Sequence, residues 1–302
     1  MSKYKWRVNQ RLGKDKTVRR LTENELDRVH RIYLRMAKNV IETCRGNGIY
    51  LTLGGGSVLG AVRHGGFIPW DDDVDLNISR EGMEKLKAHF EDYFQGKYVF
   101  HAPNYDAENK TRMGKIESNE VEIIDYNGKK HGLEIDLFVI ENVPDQPLLY
   151  RLCGLRSMIY TAISGMVIDY EFARDDPEKS GDTITREQSI RRFLGRILSV
   201  RPASSWLNKL DKINQYPRND TIRVGIPTGQ NHYFGETFLR NEMMEDILLR
   251  FEGNKFPVPR GYDAYLKKIY GQNDYMTIPG EEQRGYHYIR SIRFAGEQEK
   301  GI

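Results

Sequence analysis

The segment Pro69-Trp70-Asp71-Asp72-Asp73-Val74-Asp75-Leu76 constrains this chain more than any other stretch. From Asp73 onward, acidic or polar residues alternate with Val74, Leu76 and Ile78, the two-residue period of a strand with one buried face. Asp73 and Asp75 then share one face, while the apolar residues enter a core. Two carboxylates held side by side repel, and a divalent cation between them relieves the repulsion. Hard oxygen donors select Mg²⁺ or Mn²⁺, which also bind phosphates. A solvated acidic turn would have the same letters, so the segment alone leaves both readings open. A second candidate strand, Gly132-Leu133-Glu134-Ile135-Asp136-Leu137-Phe138, puts Glu134 and Asp136 on one face and Leu133, Ile135 and Leu137 on the other. A strand that buries one face and carries acids on the other can complete a metal site, so this segment is a candidate source of a third ligand; the other reading makes Asp136 an ordinary exposed strand residue.

Upstream, Gly54-Gly55-Gly56-Ser57 follows a short expected strand, 49–53, and precedes Val58 and Leu59. Glycines let a backbone approach a phosphate closely, and amides at a helix start attract anions. Gly55, Gly56 and Ser57 are thus candidate substrate-binding residues, although such a cluster is more often only a tight turn. A strand, a Gly-Ser turn, a helix and then a strand bearing Asp-x-Asp is the arrangement found in nucleotidyltransferases. Arg63 stands where it can grip a phosphate bidentately or pair with the acidic turn. Lys115 is a further candidate phosphate contact, and Trp70 reads as a packing anchor rather than a base-stacking platform.

The rest of the chain supplies the frame. Thr22 and Glu25 form a capping box, followed by an apolar stripe from Leu26 to Val40 that Gly46-Asn47-Gly48 ends. Ser79 caps a second helix with Met83, Leu86, Phe90 and Phe94 buried. Strands are expected at 121–126 and 133–139, with Asn127-Gly128 as the hairpin turn. From about 148 to 210 the pattern is helical, interrupted by a charged loop near 175–182, and the tail from 251 is rich in Tyr, Pro and Gly. The expected fold is α+β, a nucleotidyltransferase-like mixed β-sheet core with flanking helices and a helical second half. Its expected parts are a basic, loosely ordered lead-in (1–20), a catalytic core (21–145), a helical region (146–250), and a Tyr/Pro-rich segment packing back on the core (251–302).

Composition excludes several classes. A net charge of +3 on 302 residues leaves no basic footprint for nucleic acid. Cys44 and Cys153 lie far apart, without zinc or disulfide spacing, which suits a reducing compartment. The first twenty residues are charged and lack a secretory h-region, and no run approaches the ~18 apolar residues of a membrane span. A cytoplasmic protein is expected. Leu148–Val167 is apolar apart from Arg151 and Arg156, and 191–198 mixes arginines with apolar residues. These stretches are either a surface resting on the cytoplasmic leaflet or a buried helical core, and the core is preferred.

Gly56-Ser57-Val58-Leu59-Gly60-Ala61-Val62-Arg63-His64, running on into Gly66–Asp75, closely resembles the LicD family, a nucleotidyltransferase branch that includes the fukutin-related proteins. Leu133–Phe138 resembles the family's later acidic strand. Pro257-Val258-Pro259, Tyr262, Tyr265-Leu266, Tyr270-Gly271, Tyr275-Met276, Pro279 and Arg284–His287 resemble its closing region, so the resemblance covers 20–140 and 250–290. Ser57 stands where threonine is common, and 270–276 carries two extra residues. The resemblance implies transfer of phosphocholine or a similar phospho-alcohol from a CDP-activated donor to a sugar hydroxyl of a glycan, which can be lipid-linked. On that reading Asp73, Asp75 and Asp136 hold one or two divalent metals, and Asp136 is a candidate acceptor for the hydroxyl proton. Arg284 and His287 are placed near the substrate by resemblance alone. The competing readings are transfer of NMP from an NTP, with the same metal site, and a non-catalytic binding protein, which the retained acids oppose. No Gly-x-Ser-x-Gly elbow supports a serine hydrolase.

Overall fold

The capping box at Thr22 and Glu25 opens helix α1 (Glu23–Gly46) in the computed structural model, which describes residues 12–13, 15–107, 109–175, 186–271 and 275–296. The Thr22 hydroxyl accepts from the Glu25 amide, and the Glu25 carboxylate accepts from the Thr22 amide. Two donors that a helix start leaves orphaned are thereby satisfied. Val29, Tyr33, Met36, Val40 and Cys44 form its buried stripe.

Chain contacts divide the protein into two units, one drawn from Met1–Phe100, Lys115–Leu137 and Met244–Ile302, the other from His101–Gly114 and Phe138–Met243. After α1 come β1 (Leu51–Leu53), α2 (Gly55–His64), β2 (Val74–Ser79), α3 (Arg80–Phe94), β3 (Val99–His101), β4 (Gly114–Asp125) and β5 (Lys130–Asn142). The sheet runs in the order β1-β2-β5-β4, with the late strand Ile289–Phe294 (β10) beyond β4. β1 and β2 are antiparallel with Leu51 opposite Ile78 and Leu53 opposite Leu76. Val74, Leu76 and Ile78 are buried, as their alternation with polar residues requires.

β4 and β5 are both longer than the sequence pattern predicts. The extra inward positions include Gly114, Ser118 and Gly132, small residues that conceal the apolar period. A Cβ on Gly132 would stand 2.1 Å from the Ser118 carbonyl oxygen, so close strand approach is what requires the glycine. The expected Asn127-Gly128 turn joins the two strands, with Gly128 at a φ of +80°.

The tail contributes β8 (Asp246–Phe251), β9 (Asn254–Pro259), α9 (Tyr262–Tyr270), a 3₁₀ turn (Glu281–Gln283) and β10 (Ile289–Phe294). β8 and β9 form a two-residue hairpin through Glu252 and Gly253, both with positive φ, the backbone that matches strand twist. β10 lies antiparallel to β4, with Ile292 opposite Ile123 and Phe294 opposite Val121. The described end of the basic lead-in is tied down rather than loose: Arg19 exchanges two backbone hydrogen bonds with Ile289, and Val18 is buried. Residues 1–11 and Lys14 lie outside the described residues.

The second unit holds α4 (Pro147–Asp175), α5 (Arg186–Leu198), α6 (Ala203–Asn214), β6 (Arg223–Gly225), α7 (His232–Gly235), β7 (Thr237–Leu239) and α8 (Arg240–Met243). β6 pairs antiparallel with both Glu141–Asn142 of β5 and β7. Of the charged loop expected near 175–182, only Asp175 is described. α5 returns antiparallel along α4, with Arg191 on Asp169 and Gly195 so close that a Cβ would lie 2.1 Å from the Met166 carbonyl oxygen.

The preference for a buried core over Leu148–Val167 is corrected by the structure. The inward side of α4 is small, with Gly154, Ser157, Ser164 and Val167 buried, while Leu148, Leu152, Leu155 and Ile159 are exposed. Small residues allow neighbouring elements to approach the helix axis, and this turns the large side chains outward. Among the described residues no helix is long and apolar enough to cross a membrane.

Candidate active site

Gly54 ends β1 in an extended conformation and caps α2, and Gly55 follows at a φ of +39°. A Cβ on Gly55 would lie 2.2 Å from Asp75 Oδ2, so glycine is the residue this approach accepts. The turn is stitched to β2 by three bonds: Gly54 N to the Asp75 carbonyl at 2.8 Å, Asp75 N to Ser57 Oγ at 3.0 Å, and Gly56 N to Asp75 Oδ2 at 3.3 Å. The Gly55 amide donates to the Tyr265 hydroxyl at 2.9 Å, and buried Asn77 donates to the same oxygen at 3.3 Å. The amides expected to cradle a phosphate are therefore engaged within the protein. Ser57 serves first to hold the strand that bears Asp75.

β2 and β5 are neighbours in the sheet, so Asp75 on β2 feels the charges of Asp73, just before the strand, and of Asp136 on β5. Burial, then the charges of Asp73 and Asp136, push the Asp75 carboxyl well above the usual carboxylate range. Burial, then Asp73 and Asp72, do the same to Asp71. The Tyr33 and Tyr270 phenols are raised by burial and by these same carboxylates, which places their rings beside the cluster. Lys115 lies 2.5 Å from Glu134 Oε2 and 2.9 Å from Asp136 Oδ1. Burial opposes the Lys115 charge, yet Asp136 and Glu134 hold the ammonium above its ordinary range. Lys115 is thus an internal counter-ion rather than an open phosphate contact.

Asp73, Asp75 and Asp136 supply hard oxygens in a crowded, partly buried setting, the donor chemistry that suits Mg²⁺ or Mn²⁺. Among the described residues, no three His, Cys, Asp or Glu side chains stand as a ready-made ligand cluster. The donors fit the metal in kind, and closing on it would require side-chain adjustment.

The acidic loop is fixed from several sides. His30 stacks on Phe67 at 4.2 Å, with its Nε2 2.6 Å from the Asp71 carbonyl. At the β8–β9 tip, Glu252 accepts from the Phe67 amide at 3.1 Å and donates its own amide to Gly65. The Arg284 guanidinium lies 4.1 Å from the Trp70 ring centroid, so Trp70 is the anchor expected of it. Arg63 donates to the carbonyls of Tyr275 at 3.0 Å and Thr277 at 3.4 Å and lies within electrostatic reach of Asp71 in the acidic turn. His287 Nδ1 pairs with Asp72 Oδ1, and that carboxylate lifts the imidazole to about 10. Tyr33, His30, Glu252 and Tyr265 were not among the candidates from sequence. Each lies far along the chain from the acids, on a helix or hairpin whose local pattern reads as ordinary core or turn.

A sheet strand bearing Asp75 with Asp73 at its entry, stitched to a glycine-turned helix and neighboured by a second acidic strand, makes a nucleotidyltransferase-like fold. The family described as LicD/FKTN/FKRP, nucleotidyltransferase domain, matches residues 48–146. The chain is 27% identical over 251 residues to the lipopolysaccharide cholinephosphotransferase LicD of Haemophilus influenzae, covering 82% of this chain and 89% of that protein. It is also 51% identical over 47 residues to the ribitol 5-phosphate transferase FKRP of Mus musculus and of Homo sapiens, covering 16% of this chain and 10% of those proteins. Similarity to LicD-type phosphotransferases thus runs through most of the chain, and the family match itself covers residues 48–146.

Proposed function

We propose that this enzyme transfers a phospho-alcohol, phosphocholine or a close analogue, from a CDP-linked donor to a sugar hydroxyl of a cell-surface glycan or its lipid-linked precursor. The oxygen–phosphorus bond to the sugar forms as the bond to CMP breaks, and the hydroxyl proton passes to a carboxylate of the acidic cluster. One observation carries the reading: Asp75 is crowded by Asp73 and Asp136 beneath a glycine turn, so that its charge is suppressed where no cation is present. Bound among Asp73, Asp75 and Asp136, Mg²⁺ or Mn²⁺ would neutralise the diphosphate and stabilise the departing CMP. Tyr265 and Ser57 keep the turn and β2 in register, and Lys115 keeps Asp136 and Glu134 oriented. The similarity to a lipopolysaccharide cholinephosphotransferase supports choline as the first alcohol to try and a glycan as the acceptor. A lipid-linked acceptor would bring this chain to the cytoplasmic face of a membrane.

The test offers the protein CDP-choline, CDP-ethanolamine, CDP-glycerol and CDP-ribitol with Mg²⁺ and a glycan acceptor, and follows CMP. Metal-dependent CMP release from one donor is expected. Pyrophosphate released from an NTP, with no CMP from any CDP-alcohol, would establish nucleotidyl transfer in its place.

A further inference from the structure

The described part of the second unit carries large apolar side chains on the outside of its helical hairpin. On α5, Ile190, Phe193, Leu194 and Ile197 recur at helical spacing and are all exposed, with Phe193 at 63%. Val200, just past the helix end, is 83% exposed. α4 shows a second stripe, Leu148, Leu152, Leu155 and Ile159, spaced four, three and four residues apart. Soluble surfaces scatter such residues singly, and aligned rows of them mark a docking face.

Charge selects the occupant. No Asp or Glu lies between Asp145 and Asp169, while Arg151 and Arg156 do; none lies between Glu187 and Asp211, while Arg191, Arg192, Arg196, Arg201 and Lys209 do. Immediately after Val200, Arg201 joins Lys209, Lys212, Ser204 and Asn208 in lining a cavity of about 400 Å³. Apolar side chains followed by a cationic, hydroxyl-lined hollow complement a bilayer surface, in which acyl chains lie beneath anionic phosphates. A second copy of this chain would bring arginines against arginines. We propose that the α4–α5 hairpin and the α6 cavity dock on an anionic lipid leaflet, with α5 lying in the interface and Arg201 on lipid phosphate. None of these residues belongs to the acidic site, so the proposal stands apart from the donor and the chemistry.

The experiment is flotation of the full chain with vesicles of phosphatidylethanolamine and phosphatidylglycerol, about three to one, beside vesicles of phosphatidylcholine alone. Flotation with the anionic vesicles only, weakened by high salt, is expected. The pair Phe193→Ser with Ile197→Ser, and separately Arg196→Glu with Arg201→Glu, should each lower the bound fraction about tenfold while the melting temperature holds. The proposal is overturned if the wild type stays unbound with anionic vesicles at low salt, or if both variants float as well as the wild type. It is equally overturned if these substitutions break a dimer in a protein that never binds vesicles.

Discussion

The Tyr265 hydroxyl accepts the Gly55 amide at 2.9 Å across 210 positions of sequence, so a helix near the end of the chain holds the glycine turn near its start. The same oxygen accepts from Asn77 at the heart of β2. Tyr265→Phe keeps the buried ring, strands the Gly55 amide and leaves Asn77 with the Leu53 carbonyl as its remaining acceptor. A loss of about 1–3 kcal/mol is expected from urea denaturation, with a fall in transfer larger than the fall in donor binding. A variant as stable and as active as the wild type would show that the turn holds itself.

Asp75 predicts an inverse relation between stability and catalysis. Its carboxyl ionises far more readily unfolded than folded, so stability falls as pH rises above the ordinary value of 3.8 and remains reduced at neutral pH. Asp75→Asn removes that cost. In chelator the variant should melt at or above the wild-type temperature at pH 7, yet lose transfer. Adding Mg²⁺ should raise the melting point of the wild type and leave the variant nearly unmoved.

Lys115→Met leaves Glu134 and Asp136 facing each other without their shared cation. Removing one partner from a mostly buried ionic group costs about 3 kcal/mol, read by chemical denaturation. Adding Glu134→Gln and Asp136→Asn to that variant should recover much of the stability and none of the activity. A Lys115→Met protein of unchanged stability would mean that water already screens the pair.

The His287–Asp72 pair gives a pH signature. Its imidazole titrates near 10 in the folded protein against 6.5 ordinarily, so the pair's contribution is complete below about 6.5 and disappears as pH rises toward 10. His287→Gln should therefore lower the melting temperature at pH 6 and matter progressively less up to pH 10. A difference that does not vary with pH would assign the histidine to packing alone.

Much of this site was legible because strands write their faces into sequence. The alternation through Val74, Leu76 and Ile78, and through Leu133, Ile135 and Leu137, marks both acidic strands in the sequence itself. β4 was foreshortened because Ser118 occupies an inward position that no apolar count records. The outward face of α4 was misjudged for a related reason: residue type reports what could be buried, whereas Gly154 and Ser157 decide which side is. Arg63, Lys115 and Tyr265 show the deeper limit. A cation beside a phosphate motif invites a phosphate role, but its partners, Tyr275 for Arg63 and Asp136 for Lys115, are set by tertiary closure. No local pattern encodes that choice.

The unit bearing the acids draws on Met244–Ile302 for Tyr265, His287 and the strand that covers β4. During synthesis, then, the ribosome delivers the aspartates early and their supports last. Until β10 emerges, the stretch of β4 it will cover, Val121–Asp125, has unpaired amides, a template for sticking to other nascent chains. Production of this enzyme should accordingly lean on chaperones more than its modest size suggests, and a ribosome stalled before Met244 would release an inert, aggregation-prone fragment rather than a weakened catalyst.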